Sequence, residues 1–450
     1  MIRYSGRLYI FQLLLFSLIL FLLILNYGCG KNNTSDKEDK PATAGWTKPV
    51  QITTGSGFNT FNVAMDKGGS ALVVYSMYDE AAGFDRIYAA EYLPQSGWGN
   101  DVVIDGDADS GDAYRPVVAF NPVGDGISVF TKGDGSNDRV YARWYRKGIG
   151  WEGSVTAIDG DEEGNSGEPQ IAFDSSGNAV VVFTKANGIW ATQFDSTSLT
   201  WDFPILLSSP LLGSVQSPMV IFLGSGKFLV TFYQEATIGS FRLYATIFDG
   251  LSWYQSPLQI DNDFHNFPDA VLAADGFGNA MVVFSEGTEN KLIAKRYFSE
   301  WKDPEEIGVS TGKAIDIVYD SNHDVTVLFV QKENSVDRVF AKKYVNSTST
   351  WMSAVTIDGG GGGNTDNPGI VFDSSNNGIA VFSKEVEGIP RIFAVHYDTI
   401  KGWGDPLIID GDAASSASIP RIVIDWNDQA MVLFARPDPG SGQIYSVQYK

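Results

Sequence analysis

Apolar and polar positions alternate in short blocks from Trp46 to the end of the chain, and the blocks recur. The segment from Pro169 to Trp201, PQIAFDSSGNAVVVFTKANGIWATQFDSTSLTW, shows the unit most clearly. It contains three apolar runs, PQIAFD, NAVVVF and IWATQF, which are separated by the turn-forming residues Asp, Ser, Gly and Asn. A tryptophan then opens a fourth run. The pattern therefore predicts four strands in each unit.

Eight copies of this unit are marked by a tryptophan at a nearly constant spacing. The intervals between successive markers are 52, 53, 50, 52, 48, 50 and 52 residues. A repeat of about 51 residues with four strands is typical of a β-propeller. We therefore predict an all-β, eight-bladed β-propeller over residues 46–450, with four antiparallel strands per blade. The markers are Trp46, Trp98, Trp151, Trp201, Trp253, Trp301, Trp351 and Trp403.

The recurring aromatic residues predict a core rather than a binding surface. The second strand ends in Phe or Tyr in all eight copies, and so does the third. Second strands such as NAVVVF are continuously apolar, which indicates that both faces are covered by neighbouring blades. An Asp also recurs at the end of first strands, where its side chain suits a tight turn. These turn residues are Asp66, Asp174, Asp275, Asp320, Asp373 and Asp425.

The phase of the repeat predicts how the ring closes. The longest loops, such as that from Ile104 to Pro116, follow the strand that the tryptophan opens. A propeller needs its longest connection where the outermost strand of one blade crosses to the innermost strand of the next. The tryptophan strand is therefore predicted to be outermost, and the strand at Trp46–Ile52 must pair with Gln443–Tyr449 to complete the last blade. This pairing removes free sheet edges.

The first 45 residues predict export and an anchor. Arg3 and Arg7 precede an apolar stretch from about Tyr9 to Leu25, and Gly28 precedes the single cysteine, Cys29. This is the layout of a secretory signal, and it resembles the signal peptide of bacterial lipoproteins, in which such a cysteine carries the lipid. Residues 1–28 are then a signal peptide, and residues 29–45 a disordered linker. An uncleaved membrane anchor is the alternative. Both place the propeller in the cell envelope, on an outer membrane under the first reading.

The charge balance excludes one class of partner. The chain has 32 Lys and Arg against 54 Asp and Glu, a net charge of −22, and the segment before Cys29 adds two positive charges and no acid. The remainder therefore carries −24, which argues against nucleic acid as a ligand. We expect the protein to contact the membrane only through the lipid on Cys29.

Acidic loops follow several outer strands and suggest a cation site. Hard cations such as Ca²⁺ prefer closely spaced carboxylates, and alternate residues are acidic in two Ile-Asp loops. Asp-Gly turns that cap a strand are the alternative. The candidate ligands are Asp105, Asp107, Asp109, Asp159, Asp161 and Glu163.

Basic residues flank the loops between second and third strands, which should open on the same face as the acidic loops. Asp85, Asp138 and Asp337 directly precede three of these arginines, so a rim of mutually paired charges is one interpretation. The other is a polar ligand-binding face, with Arg115 and Arg421 just before innermost strands and nearest the axis. The remaining candidates are Arg86, Arg139, Arg338 and Arg391.

The repeat, with Asp-x-x-Gly-Asn-Ala, an apolar strand, Arg-Ile-Tyr-Ala and Gly-Trp, resembles the sialidase-like repeats of secreted and lipid-anchored bacterial propellers. The catalytic motifs of sialidases are missing: there is no Phe-Arg-Ile-Pro stretch and no Ser-x-Asp-x-Gly-x-Thr-Trp box. The three histidines, His265, His323 and His396, fall at different repeat positions, which argues against a histidine metal centre.

The sequence therefore favours a non-catalytic binding or scaffold lipoprotein with a protein or glycan ligand, and it identifies no catalytic residue. One alternative is a glycan-cleaving enzyme, a sialidase-like hydrolase or lyase, with paired carboxylates at the axis. Another is a scaffold that resembles the eight-bladed lipoprotein of outer-membrane protein assembly.

Overall fold

The computed structural model describes residues 45–53, 55, 57–106, 111–160, 164–254, 256–265, 269–311, 315–411, 415–438 and 441–450. All regular structure in these residues is β-strand. No helix within them is long and apolar enough to cross a membrane. Residues Ala44–Lys450 form one compact unit. The predicted signal peptide and Cys29 lie outside the described residues.

The first half of this unit contains a leading strand and four blades. The leading strand is β1 (Val50–Gln51). Blade 1 comprises β2 (Phe58–Met65), β3 (Ala71–Asp79), β4 (Phe84–Leu93), β5 (Gly97–Trp98) and β6 (Val102–Val103). Blade 2 comprises β7 (Ala113–Phe120), β8 (Gly126–Gly133), β9 (Asp138–Arg146) and β10 (Gly150–Ala157). Blade 3 comprises β11 (Ser166–Phe173), β12 (Ala179–Lys185), β13 (Gly188–Asp195), β14 (Thr200–Trp201) and β15 (Ile205–Leu206). Blade 4 comprises β16 (Val215–Gly224), β17 (Lys227–Thr237), β18 (Ser240–Phe248) and β19 (Leu258–Gln259).

The second half repeats the plan. Blade 5 comprises β20 (Val271–Ala274), β21 (Asn279–Glu286), β22 (Lys291–Phe298), β23 (Glu300–Trp301) and β24 (Glu305–Val309). Blade 6 comprises β25 (Asp316–Tyr319), β26 (Val325–Glu333), β27 (Val336–Val345), β28 (Thr350–Trp351) and β29 (Val355–Thr356). Blade 7 comprises β30 (Thr365–Phe372), β31 (Gly378–Val386), β32 (Ile389–Asp398), β33 (Gly402–Trp403) and β34 (Leu407–Ile408). Blade 8 comprises β35 (Ser418–Ile424), β36 (Ala430–Asp438), β37 (Ser441–Tyr449) and β1.

The eight antiparallel sheets form a closed ring. The first strand of each blade contacts the first strand of the next, and β35 of blade 8 contacts β2 of blade 1. First strands are therefore innermost. The buried clusters each combine residues of two adjacent blades, such as Phe183 with Val129, so the core lies between the blades. The predicted eight-bladed propeller is confirmed.

Closure occurs between the two ends of the propeller, as the repeat phase predicts. In β1, Val50 pairs with Ser446 and Gln51 with Tyr445, both in β37. Trp46 forms an isolated bridge with Tyr449, and Gly45 N donates to Lys450 O at 2.9 Å. The last blade therefore has its outer strand from the beginning of the propeller and its other three strands from the end.

The outer strands are less regular than predicted. In five blades the outermost strand consists of two short pieces that both pair with the third strand, as β14 and β15 do with β13. Pro204 lies between these pieces, and Pro406 lies between β33 and β34. Proline cannot donate to a strand ladder, so the outer strand breaks there.

The recurring aspartates form the turns that the sequence predicts. In each of the six, one carboxylate oxygen accepts the backbone N–H groups two and four residues later. For Asp174 the acceptor is Oδ1 and the donors are Ser176 N and Asn178 N, both at 2.8 Å. These carboxylates therefore hold the turns between first and second strands. The recurring second-strand aromatics are buried, with exposure of 1% or less from Tyr75 to Phe434.

Candidate functional site

Four of the predicted arginines form ion pairs with the aspartate that follows the outer strand of their own blade. Each arginine begins the third strand of its blade, and each aspartate directly follows a buried Ile. The N–O distances are 2.8 Å for Arg86–Asp105, Arg139–Asp159 and Arg391–Asp410, and 3.2 Å for Arg338–Asp358. All four carboxylates are fully buried. The hydrogen bond to Asp159 raises the pKa of the Arg139 guanidinium, which keeps it charged.

A base from the next blade completes each arrangement. Lys132 Nζ donates to Asp105 O and Lys185 Nζ to Asp159 O, each at 2.8 Å. Lys384 Nζ donates to Asp358 O at 2.7 Å, and Arg436 donates to the carbonyl of Asp410. We call each set of arginine, aspartate and following base a clamp, because it joins two adjacent blades. Clamps lie at the junctions 1/2, 2/3, 6/7 and 7/8.

The clamps show a rim of paired charges, but with partners that the sequence did not suggest. The aspartates that directly precede Arg86 and Arg139 along the chain, Asp85 and Asp138, are not the carboxylates in the clamps. Strand geometry explains this, because successive residues of a strand point to opposite faces. A ligand-binding role for the four clamp arginines remains a prediction.

The acids predicted to bind Ca²⁺ are only partly described. Asp105 and Asp159 direct their carboxylates to clamp arginines, and Asp159 Oδ2 also accepts from Ser166 Oγ at 2.6 Å. Across the described ranges, no group of three or more His, Cys, Asp or Glu side chains could hold a metal ion. The other four predicted ligands, Asp107, Asp109, Asp161 and Glu163, lie outside those ranges. Ca²⁺ binding there remains a prediction.

Arg115 and Arg421 lie within innermost strands rather than just before them. Both strands begin earlier than predicted, because a bulge near Pro116 and Pro420 keeps the preceding residues paired. Arg115 adopts a positive φ of 52° and forms an ion pair with Glu168 of the next blade at 2.8 Å. Burial lowers the pKa of Arg421.

One level of the innermost strands tests the idea of axial carboxylates. The level consists of one residue from the first strand of each blade. In every blade this residue pairs with the second-strand residue that directly precedes the buried aromatic. Asp316 is the only carboxylate among the eight described residues there. It accepts Ile317 N at 2.9 Å and, across the blade junction, Ile370 N at 2.8 Å. The eight residues are Asn62, Val117, Gln170, Met219, Val271, Asp316, Gly369 and Arg421.

The outer strand of blade 2 departs from the repeat. In six repeats, the buried Ile or Leu that ends the outer strand lies six positions after the marker tryptophan. In blade 2 it lies seven positions after the marker, where Ile158 follows Trp151. The extra residue appears as a bulge in β10, because the register with β9 shifts between Glu152 and Thr156. Blade 4 has the same insertion, from Trp253 to Ile260.

A groove of about 1080 Å³ lies between this outer strand and blade 3. Trp144 of β9 and Trp201 of β14 line it on either side of Phe194, and each tryptophan ring centroid is 5.1 Å from that of Phe194. Phe203, 66% exposed, and Pro204 line it as well. Four of the lining side chains are therefore aromatic. We call this the aromatic groove.

Trp144 is the residue of this groove that the repeat does not require. The position directly before the last aromatic of the third strand carries no tryptophan in the other seven repeats. The ring of His396 makes a similar contact there, with its centroid 4.5 Å from that of Tyr449. The Nε1 of Trp144 is buried and has no hydrogen-bond partner among the described residues. The equivalent residues are Glu91, Gln193, Ile247, Arg296, Lys343, His396 and Gln448.

Polar side chains border the aromatic groove. Arg146 Nε lies 3.0 Å from Glu152 Oε2, and both side chains are partly exposed. Thr156, Thr200 and Asp202 also line the groove. The site therefore offers aromatic rings together with charged donors and acceptors, a combination that suits a ligand with both apolar faces and hydroxyl groups.

A smaller groove of about 400 Å³ lies on the blade 1 side of the same bulge. Its lining includes Lys132, Tyr141 and Arg143, and it shares Arg143, Gly153 and Ser154 with the aromatic groove. Arg143 Nη1 donates to Ile104 O of blade 1 at 3.2 Å, and burial lowers the pKa of this guanidinium. We call this the basic groove.

The sequence contains signals for both grooves, but these signals are departures from the repeat and not recurring residues. Trp144 is one of three tryptophans outside the marker set, and the extra residue before Ile158 is visible in the distance from Trp151 to Ile158, which is seven positions instead of six. A departure from the repeat, rather than the repeat itself, marks the site.

The chain matches no protein-family model and no curated relative. Its fold is similar to that of the Dos1 propeller, with a TM-score of 0.53 and 10% identity over 90% of this chain and 95% of that one. A PL25 ulvan lyase bound to -[GlcA(1-4)Rha3S]- gives a TM-score of 0.50 and 10% identity over 78% and 98%. The BP39L lectin from Burkholderia pseudomallei gives 0.50 and 12% over 78% and 98%. At these identities the similarity shows the fold alone.

Proposed function

We propose that this protein is a non-catalytic carbohydrate-binding propeller. The observation that carries the proposal is Trp144, an aromatic side chain that the repeat does not need, facing Phe194 and Trp201 in an open groove. Structural tryptophans of the chain recur in every blade, whereas Trp144 occurs in one. We infer that it serves a ligand.

The chemistry of the groove favours a sugar over an extended peptide. A pyranose ring has apolar C–H faces that pack on aromatic rings and hydroxyl groups that bond to paired acids and bases. Arg146 and Glu152 supply such a pair at the margin. Propellers of this fold include a lectin and a polysaccharide lyase, so the architecture can accommodate carbohydrate.

A catalytic role at the axis has one observation in its favour. Burial raises the pKa of Asp316 to about 6, which is suitable for a general acid. Glycoside cleavage by the common mechanisms needs a second carboxylate about 5 to 10 Å away, and Asp316 is the single acid among the described residues of its level. We therefore rank the glycan-cleaving enzyme second. Release of new reducing ends from a polysaccharide, lost in Asp316→Asn, would reverse this order.

We further propose that the propeller is exported and held on a bacterial membrane through a lipid on Cys29. The predicted signal sequence directly before Cys29 supports this proposal. Cys29 is the single cysteine of the sequence, so it has no partner for an internal disulfide. Cys29→Ser should move the protein from the membrane fraction to the soluble fraction and abolish labelling by a fatty-acid probe. Unchanged fractionation and labelling would contradict the anchor.

The binding proposal is tested by screening the detergent-purified full-length protein against an oligosaccharide array. The variant is Trp144→Gln, because Gln occupies this position in blades 3 and 8. The control is His396→Gln, a change at the same strand position in blade 7. We expect Trp144→Gln to lose the glycans that wild type and the control retain. Equal retention by Trp144→Gln would exclude the aromatic groove as the site.

A further inference from the structure

Two basic side chains, Lys132 and Arg143, line the basic groove together with the carboxylate of Asp105. Arg86 lies beside the groove and forms an ion pair with Asp105. Arg86 contacts both oxygens of that carboxylate, and Lys132 Nζ lies 3.8 Å from Oδ2. Asp105 is therefore already committed to the clamp.

Arg143 has hydrogen-bonding capacity to spare. A guanidinium has five N–H donors, and the bond to Ile104 O uses one. Its Nε is buried without a partner among the described residues. No carboxylate in the described part of the chain lies within 4.0 Å of it; Asp105 is the one acid close enough to influence its pKa. Arg143 Nη2 is not buried and has no partner among the described residues, so it can donate to an oxyanion in the groove.

The same inter-blade bond is made elsewhere by a simpler side chain. In blades 5 and 6 the equivalent residues are Lys295 and Lys342, which donate to Ile260 O and Ile307 O, each at 2.8 Å. A lysine is therefore sufficient to join the blades. Arginine differs from lysine in its planar fork of donors, which matches the two oxygens of a carboxylate or sulfate.

We propose that the basic groove binds the acidic group, a carboxylate or a sulfate, of the carbohydrate whose ring occupies the aromatic groove. This inference rests on the proposed function. The two grooves share Gly153 and Ser154 of the β10 bulge, so one oligosaccharide can cross the bulge from Trp144 to Arg143. Tyr141 also lines the basic groove and offers a further donor to the oxyanion.

The test uses two pairs of oligosaccharide probes that differ only in charge. The carboxylate pair is trigalacturonate and its methyl ester, and the sulfate pair is a κ-carrageenan tetrasaccharide and its desulfated counterpart. Binding of each probe to the full-length protein is measured by calorimetry for wild type, Arg143→Gln, Trp144→Gln and Lys342→Gln. The Lys342→Gln variant removes the same inter-blade bond away from the grooves, so it controls for purely structural loss.

We expect wild type to bind at least one acidic probe roughly 10- to 100-fold more tightly than its neutral counterpart, as hydrogen bonds to charged groups suggest. Arg143→Gln should abolish that preference, Lys342→Gln should retain it, and Trp144→Gln should weaken both members of the pair. The pair that shows the preference identifies carboxylate or sulfate.

Three results would overturn the inference. If acidic and neutral probes bind equally to wild type and to Arg143→Gln, the basic groove takes no anion, while carbohydrate binding itself stands. If Lys342→Gln loses the preference as Arg143→Gln does, the effect is structural. If none of the four probes binds, this inference fails for both acid types, and the array screen with Trp144→Gln decides the proposed function separately.

Discussion

The junction between blades 2 and 3 has two ends with opposite character. Where β9 begins, Arg139, Asp159 and Lys185 form a clamp in which the buried carboxylate accepts from Arg139 and Ser166. Where β9 ends, Trp144 lines an open groove and its Nε1 has no partner among the described residues. The strand is the same, but one end satisfies its polar groups internally and the other does not.

This difference helps to distinguish residues that hold the blades together from residues that could bind a ligand. Clamps recur at four junctions, so their charges are explained by joining blades, and a carboxylate that is buried and paired within the protein has little left for a ligand. The aromatic groove depends on an insertion and on a tryptophan that no other blade has at this position. In a repeat protein, recurrence indicates packing, and a side chain that departs from the repeat is the better candidate for a site.

The largest effect on both ends should come from opening the ring. A protein that begins at Gly55 lacks Trp46 and β1, so β37 loses its outer partner and exposes an unpaired edge. Loss of a large packed aromatic alone typically costs about 3 to 5 kcal/mol. Compared with a protein that begins at Gly45, we expect aggregation or a much lower Tm in calorimetry. Equal Tm values would mean that closure by β1 contributes little.

Removing the carboxylate of the clamp should have the next largest effect. Asp159→Ala leaves Arg139 without its buried partner, and breaking a buried ion pair costs about 3 to 5 kcal/mol. Glu152→Gln is the matched control, because it breaks the partly exposed pair with Arg146 in the same blade, where a loss of about 1 kcal/mol or less is expected. Thermal denaturation compares the two. A similar Tm for both variants would show that the clamp adds no more than a surface pair.

The sequence predicted the propeller well because its information is repeated eight times. The tryptophan period, the second-strand aromatics and the turn aspartates each report the same blade, and the phase of the repeat predicted pairing of β1 with β37. The clamps were not predicted, because Arg139 and Asp159 are brought together by strand pairing across 20 residues. The aromatic groove was missed for another reason: Trp144 occurs at its strand position in one blade, and the extra residue before Ile158 occurs in two blades, so neither follows the repeat.

We expect a moderate, pH-dependent effect on stability at Asp316 near the axis. Its hydrogen bonds only partly offset the cost of burying its charged carboxylate. Two backbone N–H groups bond to its carboxylate, yet burial raises its pKa to about 6, above the ordinary value of 3.8. Between these values the folded protein binds more protons than the unfolded chain, so this residue makes folding less favourable as pH rises from 4 to 6. Since Asp316 is partly accessible to water, we expect a change of about 1 to 2 kcal/mol.

Comparison with Asp316→Asn isolates this contribution. As the pH falls from 7.5 to 5, wild type should gain Tm relative to Asp316→Asn, which has no proton to bind at this position. Parallel Tm curves for the two proteins over this range would show that the carboxylate titrates as an ordinary solvent-exposed acid. The clamp variants serve as a reference, because loss of Asp159 should lower the Tm at both pH values.

The smallest effect on stability should come from Trp144, and this prediction sharpens the contrast between the two ends of β9. Trp144→Gln loses the ring contact with Phe194, but it breaks no hydrogen bond, because Nε1 has no partner among the described residues. The ring pair contributes roughly 1 kcal/mol beyond the area that the partly buried ring covers. Because Gln occupies the same position in blades 3 and 8, we expect a smaller Tm loss than for Asp159→Ala. Carbohydrate binding should nevertheless be lost. A Tm loss as large as that of Asp159→Ala would instead place Trp144 among the packing residues, and both ends of the junction would then be structural.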